Sequence, residues 1–82
     1  MKGGVKMNNK LFEFRTKNML KQKDLAKVAG VTVSHISYIE KGERLPSLPV
    51  ASKLANFFNV SIEDLFPQYK IEKVKETSNV RG

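Results

Sequence analysis

Two short helices separated by a glycine are predicted between Gln22 and Glu40, and this stretch constrains the fold more than any other. Its first half carries apolar residues at spacings of three and four, which lie on one face of a helix: Leu25, Ala26 and Ala29. Gly30 is expected to end this helix, because glycine adopts left-handed backbone angles without steric cost. Thr32 follows as a candidate N-cap, whose hydroxyl accepts a backbone N–H of the next helix. The pattern therefore predicts a helix, a tight turn and a second helix.

The second helix is predicted from about Val33 to Glu40 and has one apolar face. Ile36 and Ile39 are expected in the core, with Val31 packed beneath the turn. The remaining side chains are small or polar and have no core to enter: Val33, Ser34, His35, Ser37 and Tyr38. This helix is therefore expected to present an outward face that is free to bind.

Six residues of this stretch match positions of a known motif: Gln22, Ala26, Gly30, Val31, Ile36 and Ile39. They lie where the helix-turn-helix of the phage-repressor (Cro/CI, or XRE-like) family has its Gln, Ala, Gly and aliphatic residues, and the chain resembles that family from about Leu11 to Phe66. The resemblance implies an all-α fold, a compact five-helix domain of the lambda-repressor-like helix-turn-helix type. We expect this domain to span residues 9–66, with a flexible arm at 1–8 and a flexible or partly helical tail at 67–82.

The positive charge is concentrated in the helix-turn-helix half of the chain. The formal net charge is +7, and seven basic residues but only three acidic ones lie between Arg15 and Arg44. Between Leu45 and Phe66 there is one lysine against two acidic residues. A basic surface suits a polyanion, because neutralised phosphates release condensed counterions. Together with the resemblance, this predicts double-stranded DNA as the partner.

Other classes of function find little support in the composition. Cysteine is absent, so no disulfide and no thiolate zinc site can form. His35 is the only histidine, and no metal ligand or nucleophile accompanies it at a suitable spacing. We therefore expect no enzyme activity, metal or cofactor. No apolar run is long enough to span a membrane or to act as a signal peptide, which predicts a cytoplasmic protein. The resemblance implies that a bacterium, a phage or a mobile element encodes it.

The resemblance implies which residues would contact DNA. The helix from Val33 would enter the major groove, with base contacts from its outward face: Val33, Ser34, His35, Ser37 and Tyr38. Contacts to the DNA backbone would come from the start of the preceding helix, the turn and the following loop: Lys21, Gln22, Lys23, Thr32, Lys41 and Arg44. Because no Arg, Gln or Asn occupies the outward face, no particular base can be predicted.

An ion pair between Arg15 and Glu40 is also implied by the resemblance. Glu40 shares a helix face with Ile36, so a partly buried carboxylate would gain from a bidentate guanidinium. Lys21 departs from the family, which has Ser or Thr as the cap before Gln22. Since lysine cannot accept a backbone N–H, the first helix of the motif is expected to begin less sharply.

The remaining segments are predicted to complete the five helices. Asn8 or Asn9 is expected to cap a first helix that ends near Asn18, after which Met19 and Leu20 pack against the core. Ser47 is a candidate cap for a fourth helix at about 48–58, and Asn59 is expected to take left-handed angles after it. A fifth helix then runs from Ser61 to Pro67. Its surroundings contain more apolar residues than a small core needs, and these either cover the first helix or form a homodimer interface: Phe57, Val60, Ile62 and Phe66.

Two functional hypotheses follow. The first is a sequence-specific DNA-binding transcriptional regulator, acting as a repressor, that binds an inverted-repeat operator as a homodimer. The second is a protein-interaction module, such as an antitoxin or an adaptor, with DNA binding secondary. The basic loop and Gln22 favour the first hypothesis, whereas the lack of Arg, Gln and Asn on the outward face favours the second.

Overall fold

The computed structural model describes residues 9–69, and the secondary structure of these residues is entirely helical. The elements in chain order are α1 (Leu11–Lys17), α2 (Gln22–Ala29), α3 (Val33–Glu40), α4 (Leu48–Phe58), α5 (Ile62–Leu65) and a short 3-10 helix (Pro67–Tyr69). The predicted all-α, five-helix fold is therefore confirmed. The predicted arm at 1–8 and residues 70–82 of the predicted tail lie outside the described residues.

The starts of α3, α4 and α5 are set by short polar side chains, as the sequence predicts. The Thr32 hydroxyl accepts the backbone N–H of His35 at 3.1 Å, and the Ser61 hydroxyl accepts that of Asp64 at 3.0 Å. Ser47 plays the same part for α4, at the longer distance of 3.4 Å. Each cap satisfies one of the backbone donors that a helix leaves unpaired in its first turn.

Helix α2 begins with a cap of another kind. The backbone N–H of Lys21 donates to the Asp24 carboxylate at 2.8 Å, so the side chain three residues into the helix reaches back to the residue before it. This is the half of a capping box that does not need an acceptor at the N-cap. The expected weakness at Lys21 is therefore partly compensated by Asp24.

Two left-handed residues end α2 and α4. Gly30 has a φ of 72° and Asn59 a φ of 59°, and each donates its backbone N–H to a carbonyl in the last turn of its helix. Asparagine tolerates this conformation better than other non-glycine residues. Both turns lie where the sequence predicts them.

One core joins the five helices, and every helix contributes to it. The buried apolar residues are Leu11, Leu25, Ala26, Ala29, Ile36, Ile39, Ala51, Leu54, Ala55, Leu65 and Phe66. The two isoleucines of α3 are among them, as are the three apolar residues predicted for α2. Because both helices of the motif are anchored in this core, the outward face of α3 is held in a defined orientation.

Met19 does not pack against the core, which corrects the expectation from the sequence. Its side chain is 91% exposed, and its backbone is left-handed with a φ of 57°. The chain reverses after α1 ends at Lys17, and this turn directs the Met19 side chain to solvent while Leu20 packs against the core. The prediction that Met19 is buried used only its hydrophobicity, whereas the backbone conformation of the turn determines where the Met19 side chain points.

The predicted tail begins with a short helical segment that contacts the domain. Pro67–Tyr69 form a 3-10 helix, and the Tyr69 ring packs against the core. The Tyr69 hydroxyl donates to the carbonyl of Pro46, a buried residue of the loop between α3 and α4. A single aromatic residue with a polar tip is therefore sufficient to attach this segment, although its apolar residues are sparse.

Candidate nucleic-acid interface

The outward face of α3 carries the side chains proposed to contact bases. Ser34, Tyr38 and Lys41 follow at spacings of four and three residues, and all three are exposed. Val33 is also exposed, whereas His35 and Ser37 are half-buried at the edges of this face. Each of these side chains therefore retains some surface for a ligand.

The C-terminal end of this face combines an aromatic ring with a cation. The Lys41 ammonium lies 5.7 Å from the centre of the Tyr38 ring, within the range of a cation–π contact. The phenolic hydroxyl and the ammonium are both hydrogen-bond donors, and a phosphate oxygen accepts from either. The pair is suited to a backbone phosphate next to the groove that α3 would enter.

The residues predicted to contact the DNA backbone are mostly on the surface. Lys21, Lys23, Lys41 and Arg44 are exposed, as is Thr32 at the start of α3. The Thr32 oxygen accepts the N–H of His35, which leaves its own hydroxyl hydrogen available for a phosphate oxygen.

Gln22 differs from these residues because its side chain already has a protein partner. The amide Nε2 donates to Glu40 Oε1 at 3.0 Å, and the residue is half-buried. This contact cannot be predicted from the sequence, since no local spacing relates residues 22 and 40.

The ion pair between Arg15 and Glu40 is present in the structure. Arg15 Nε lies 2.5 Å from Glu40 Oε2, and Nη2 lies 3.2 Å from Oε1, so the contact is bidentate. The two side chains are only 13% and 5% exposed. Arg15 Nη1 also donates to the carbonyl of Leu20 at 2.9 Å, and the guanidinium lies 5.3 Å from the centre of the Phe12 ring. Phe12 is largely exposed, and its ring provides a cation–π contact for this guanidinium.

Asn9 is a further connection between α1 and α3. Its Nδ2 donates to the carbonyl of Ile39 at 2.8 Å, and its Oδ1 accepts the N–H of Leu11 at 3.0 Å. One side chain therefore fastens the start of α1 and the last turn of α3. The sequence predicts only the bond to Leu11 at the start of α1 and not the bond to Ile39.

The predicted dimer residues divide into two groups. Phe57 is 46% exposed, and Val60 and Ile62 are half-buried. Phe66 is fully buried in the core, so it is removed from the predicted interface; α5 turns its ring inward between the other helices. Phe58 packs against Phe14 of α1, with ring centres 5.5 Å apart. Part of the apolar excess thus covers α1, and Phe57 remains on the surface.

The chain matches one protein family and is similar in sequence or in structure to known proteins. The family model described as helix-turn-helix matches residues 11–65, which is more than half of the chain. The chain belongs to this helix-turn-helix family.

Two archaeal proteins illustrate the family. An uncharacterised HTH-type transcriptional regulator of Methanocaldococcus jannaschii is 52% identical over 60 residues, which cover 73% of this chain and 91% of that protein. An uncharacterised HTH-type transcriptional regulator of Archaeoglobus fulgidus is 47% identical over 60 residues, covering 73% of this chain and 86% of that protein. Both of these relatives are archaeal proteins.

One solved structure has a similar fold. It is the restriction-modification controller protein C.AhdI from Aeromonas hydrophila, with a TM-score of 0.63 and 35% identity. The similarity covers 70% of this chain and 86% of that one.

Two further observations concern the described residues. Histidine and acidic side chains in residues 9–69 form no cluster of three or more that could bind a metal ion. None of the helices in the same residues has the length and hydropathy needed to cross a lipid bilayer.

Proposed function

We propose that this helix-turn-helix protein is a sequence-specific transcriptional regulator that acts as a repressor from an inverted-repeat operator. The observation that carries the proposal is the exposure of Ser34 and Tyr38 on a helix whose opposite face is anchored by Ile36 and Ile39, with the exposed Lys41 directly after that helix. Such a helix can enter the major groove without rearranging the core. The proposed activity involves no catalytic step, metal or cofactor, and its place is the cytoplasm, where the DNA of bacteria and archaea lies.

The outward face of α3 is proposed to contact the bases. Ser34 can donate to or accept from a base edge, and the Val33 methyl groups suit the C5-methyl group of thymine. His35, Ser37 and Tyr38 border these two residues and complete the proposed base contacts. The preferred sequence then depends on shape and single hydrogen bonds rather than on a bidentate pair.

The surrounding donors are proposed to hold the DNA backbone: Lys21, Gln22, Lys23, Thr32, Lys41 and Arg44. Their contacts set the register of α3 in the groove and carry no sequence information. Occupation of an operator that overlaps a promoter is sufficient to exclude polymerase, so repression requires no further site on this chain.

A homodimer is proposed through an apolar patch that consists of Phe57, which is exposed, and of Val60 and Ile62, which are half-buried. A two-fold contact through this patch would present two copies of α3 to successive major grooves. The half-sites would then lie about one helical turn, ~34 Å, apart.

Selection from a pool of random duplexes tests the DNA-binding proposal, with affinities then measured by fluorescence anisotropy at several salt concentrations. We expect Ser34→Ala to change the preferred sequence. Lys23→Ala should weaken binding to all sequences and lower the slope of log K against log salt by about 0.9. Lys53→Ala removes the same charge from α4, outside the proposed contacts, and serves as the matched control. If the pool yields no bound duplex even at low salt, the interaction-module hypothesis replaces this one.

Sedimentation equilibrium tests the dimer. Phe57→Ser is expected to shift the protein toward monomer, whereas Leu48→Ser should leave the association unchanged. Leu48 is a suitable control because it is an exposed apolar residue of the same helix, 55% accessible against 46% for Phe57. Equal association constants for both variants would place the dimer contact elsewhere.

A further inference from the structure

The Glu40 carboxylate accepts hydrogen bonds from two elements that meet at the end of α3. Its Oε1 receives both Arg15 Nη2 and Gln22 Nε2, and its Oε2 receives Arg15 Nε. Arg15 reaches Glu40 from α1, and Gln22 is the first residue of α2. A single buried carboxylate therefore links the core ion pair to a residue proposed to contact DNA.

This link restricts the side-chain amide of Gln22. A free glutamine amide rotates and presents either its oxygen or its nitrogen outward, and only the nitrogen can donate to a phosphate. With one Nε2 hydrogen directed to Glu40, the NH2 group is held in place and its second hydrogen is left for another acceptor. Fixing the amide in this way removes side-chain entropy before DNA arrives.

The charges of the network formed by Arg15, Gln22 and Glu40 also suit a phosphate. An unpaired carboxylate at this position would repel DNA, but the bidentate Arg15 guanidinium compensates its charge. The N-terminal end of α2 adds its partial positive charge. The assembled site thus offers donors, although an acidic residue lies within it.

We infer that Glu40 is a positioning residue for DNA binding, which acts by holding the Gln22 amide ready to donate to a backbone phosphate. The inference rests on the proposed contact between Gln22 and DNA. It assigns the ion pair a role in binding in addition to its role in the fold.

A double-mutant cycle tests the inference, with a duplex of arbitrary sequence at low salt as the probe, because a phosphate contact does not depend on sequence. Gln22→Ala should weaken binding roughly tenfold, the loss expected for one hydrogen bond to a charged group. Glu40→Gln should weaken binding several-fold when Gln22 is present and have no effect when residue 22 is Ala. Equal effects of Glu40→Gln in both backgrounds would overturn the inference.

The direction in which Glu40→Gln changes the DNA affinity is a second criterion. Removing a negative charge near DNA strengthens binding by long-range attraction, and Glu13→Gln, on the exposed surface of α1, serves as the matched control for that effect. The inference requires Glu40→Gln to weaken binding while Glu13→Gln strengthens it slightly or leaves it unchanged. Tighter binding by both variants would contradict the positioning role.

A measurement on the unmodified protein keeps the test decisive if Glu40→Gln does not fold. In a 15N-resolved NMR spectrum, one of the two Gln22 side-chain NH2 protons should shift when the duplex is added, while the proton bonded to Glu40 stays near its free position. Equal shifts of both protons on addition of DNA, or no shift of either, would contradict the inference. Failure of the unmodified protein to bind any duplex would instead contradict the proposed function.

Discussion

Replacing Arg15 by Met is predicted to be among the most destabilising single changes in this domain. The substitution keeps most of the side-chain length but leaves the Glu40 carboxylate, 5% exposed, with Gln22 as its remaining side-chain donor. Breaking a buried ion pair by removing one partner costs about 3–5 kcal/mol, because the remaining charge is uncompensated. The Leu20 carbonyl also loses its hydrogen bond from Arg15 Nη1.

The size of this loss is large compared with the stability of the whole domain. Residues 9–69 are expected to have a free energy of unfolding of about 3–9 kcal/mol, from the usual contribution per residue. Arg15→Met should therefore leave the protein marginally folded or unfolded at room temperature. Because the loss of stability comes from an uncompensated charge, removing both charged groups should destabilise the domain less than removing one.

The double variant Arg15→Met/Glu40→Leu tests that reasoning. It removes the buried carboxylate along with the guanidinium, and apolar replacement of a whole buried pair is often neutral or stabilising. Because the Leu20 carbonyl still lacks its donor, we expect the double variant to lie about 1–2 kcal/mol below the natural protein. Its free energy of unfolding should remain roughly 2 kcal/mol higher than that of Arg15→Met, which is the difference between the losses expected for the two variants.

Urea unfolding followed by circular dichroism at the helical band measures these differences. The natural protein, Arg15→Met and the double variant are compared at one pH and one salt concentration, and the midpoints are converted with a common slope. A double variant no more stable than Arg15→Met would refute the charge argument. A midpoint of Arg15→Met equal to that of the natural protein would show that the pair contributes nothing to the fold.

Three further changes separate backbone strain from packing. Met19→Gly should stabilise the domain by about 0.5–1 kcal/mol and raise its Tm by a few degrees, because it relieves a left-handed methionine whose side chain is 91% exposed; a lower Tm would mean that the Met19 side chain has a partner. Gly30→Ala should destabilise by about 1–2 kcal/mol through backbone strain alone, since the nearest atom to the new Cβ is Lys53 Nζ at 4.0 Å; no loss in urea unfolding would mean that the turn can relax to negative φ. Leu54→Ala should cost about 2–5 kcal/mol, because a fully buried side chain leaves a cavity; a loss below 1 kcal/mol in the same assay would indicate that the helices close over the space.

Local chemistry was enough to predict the elements. The bounds of α3 and α4, the caps at Thr32 and Ser61 and the left-handed Asn59 all agree with the sequence analysis. Each depends on residues within one turn of one another: apolar spacing, a hydroxyl before a helix, or a residue that tolerates positive φ. The outward face of α3 follows from the same spacing, since Ile36 and Ile39 specify which side must be buried.

Contacts between distant residues were beyond that kind of prediction. The bond from Gln22 to Glu40, the Asn9 bridge to Ile39 and the Tyr69 hydroxyl at Pro46 join residues 18 to 30 positions apart. Phe66 and Met19 show the same limit, since both are apolar and yet one is fully buried and the other is in solvent. Periodicity describes how a helix is divided into faces, whereas the direction of a turn and the partner of a polar group depend on how the helices pack in space. For this protein, local sequence determined the helices and the exposed face of α3, and the tertiary arrangement determined the polar network that holds that face in place.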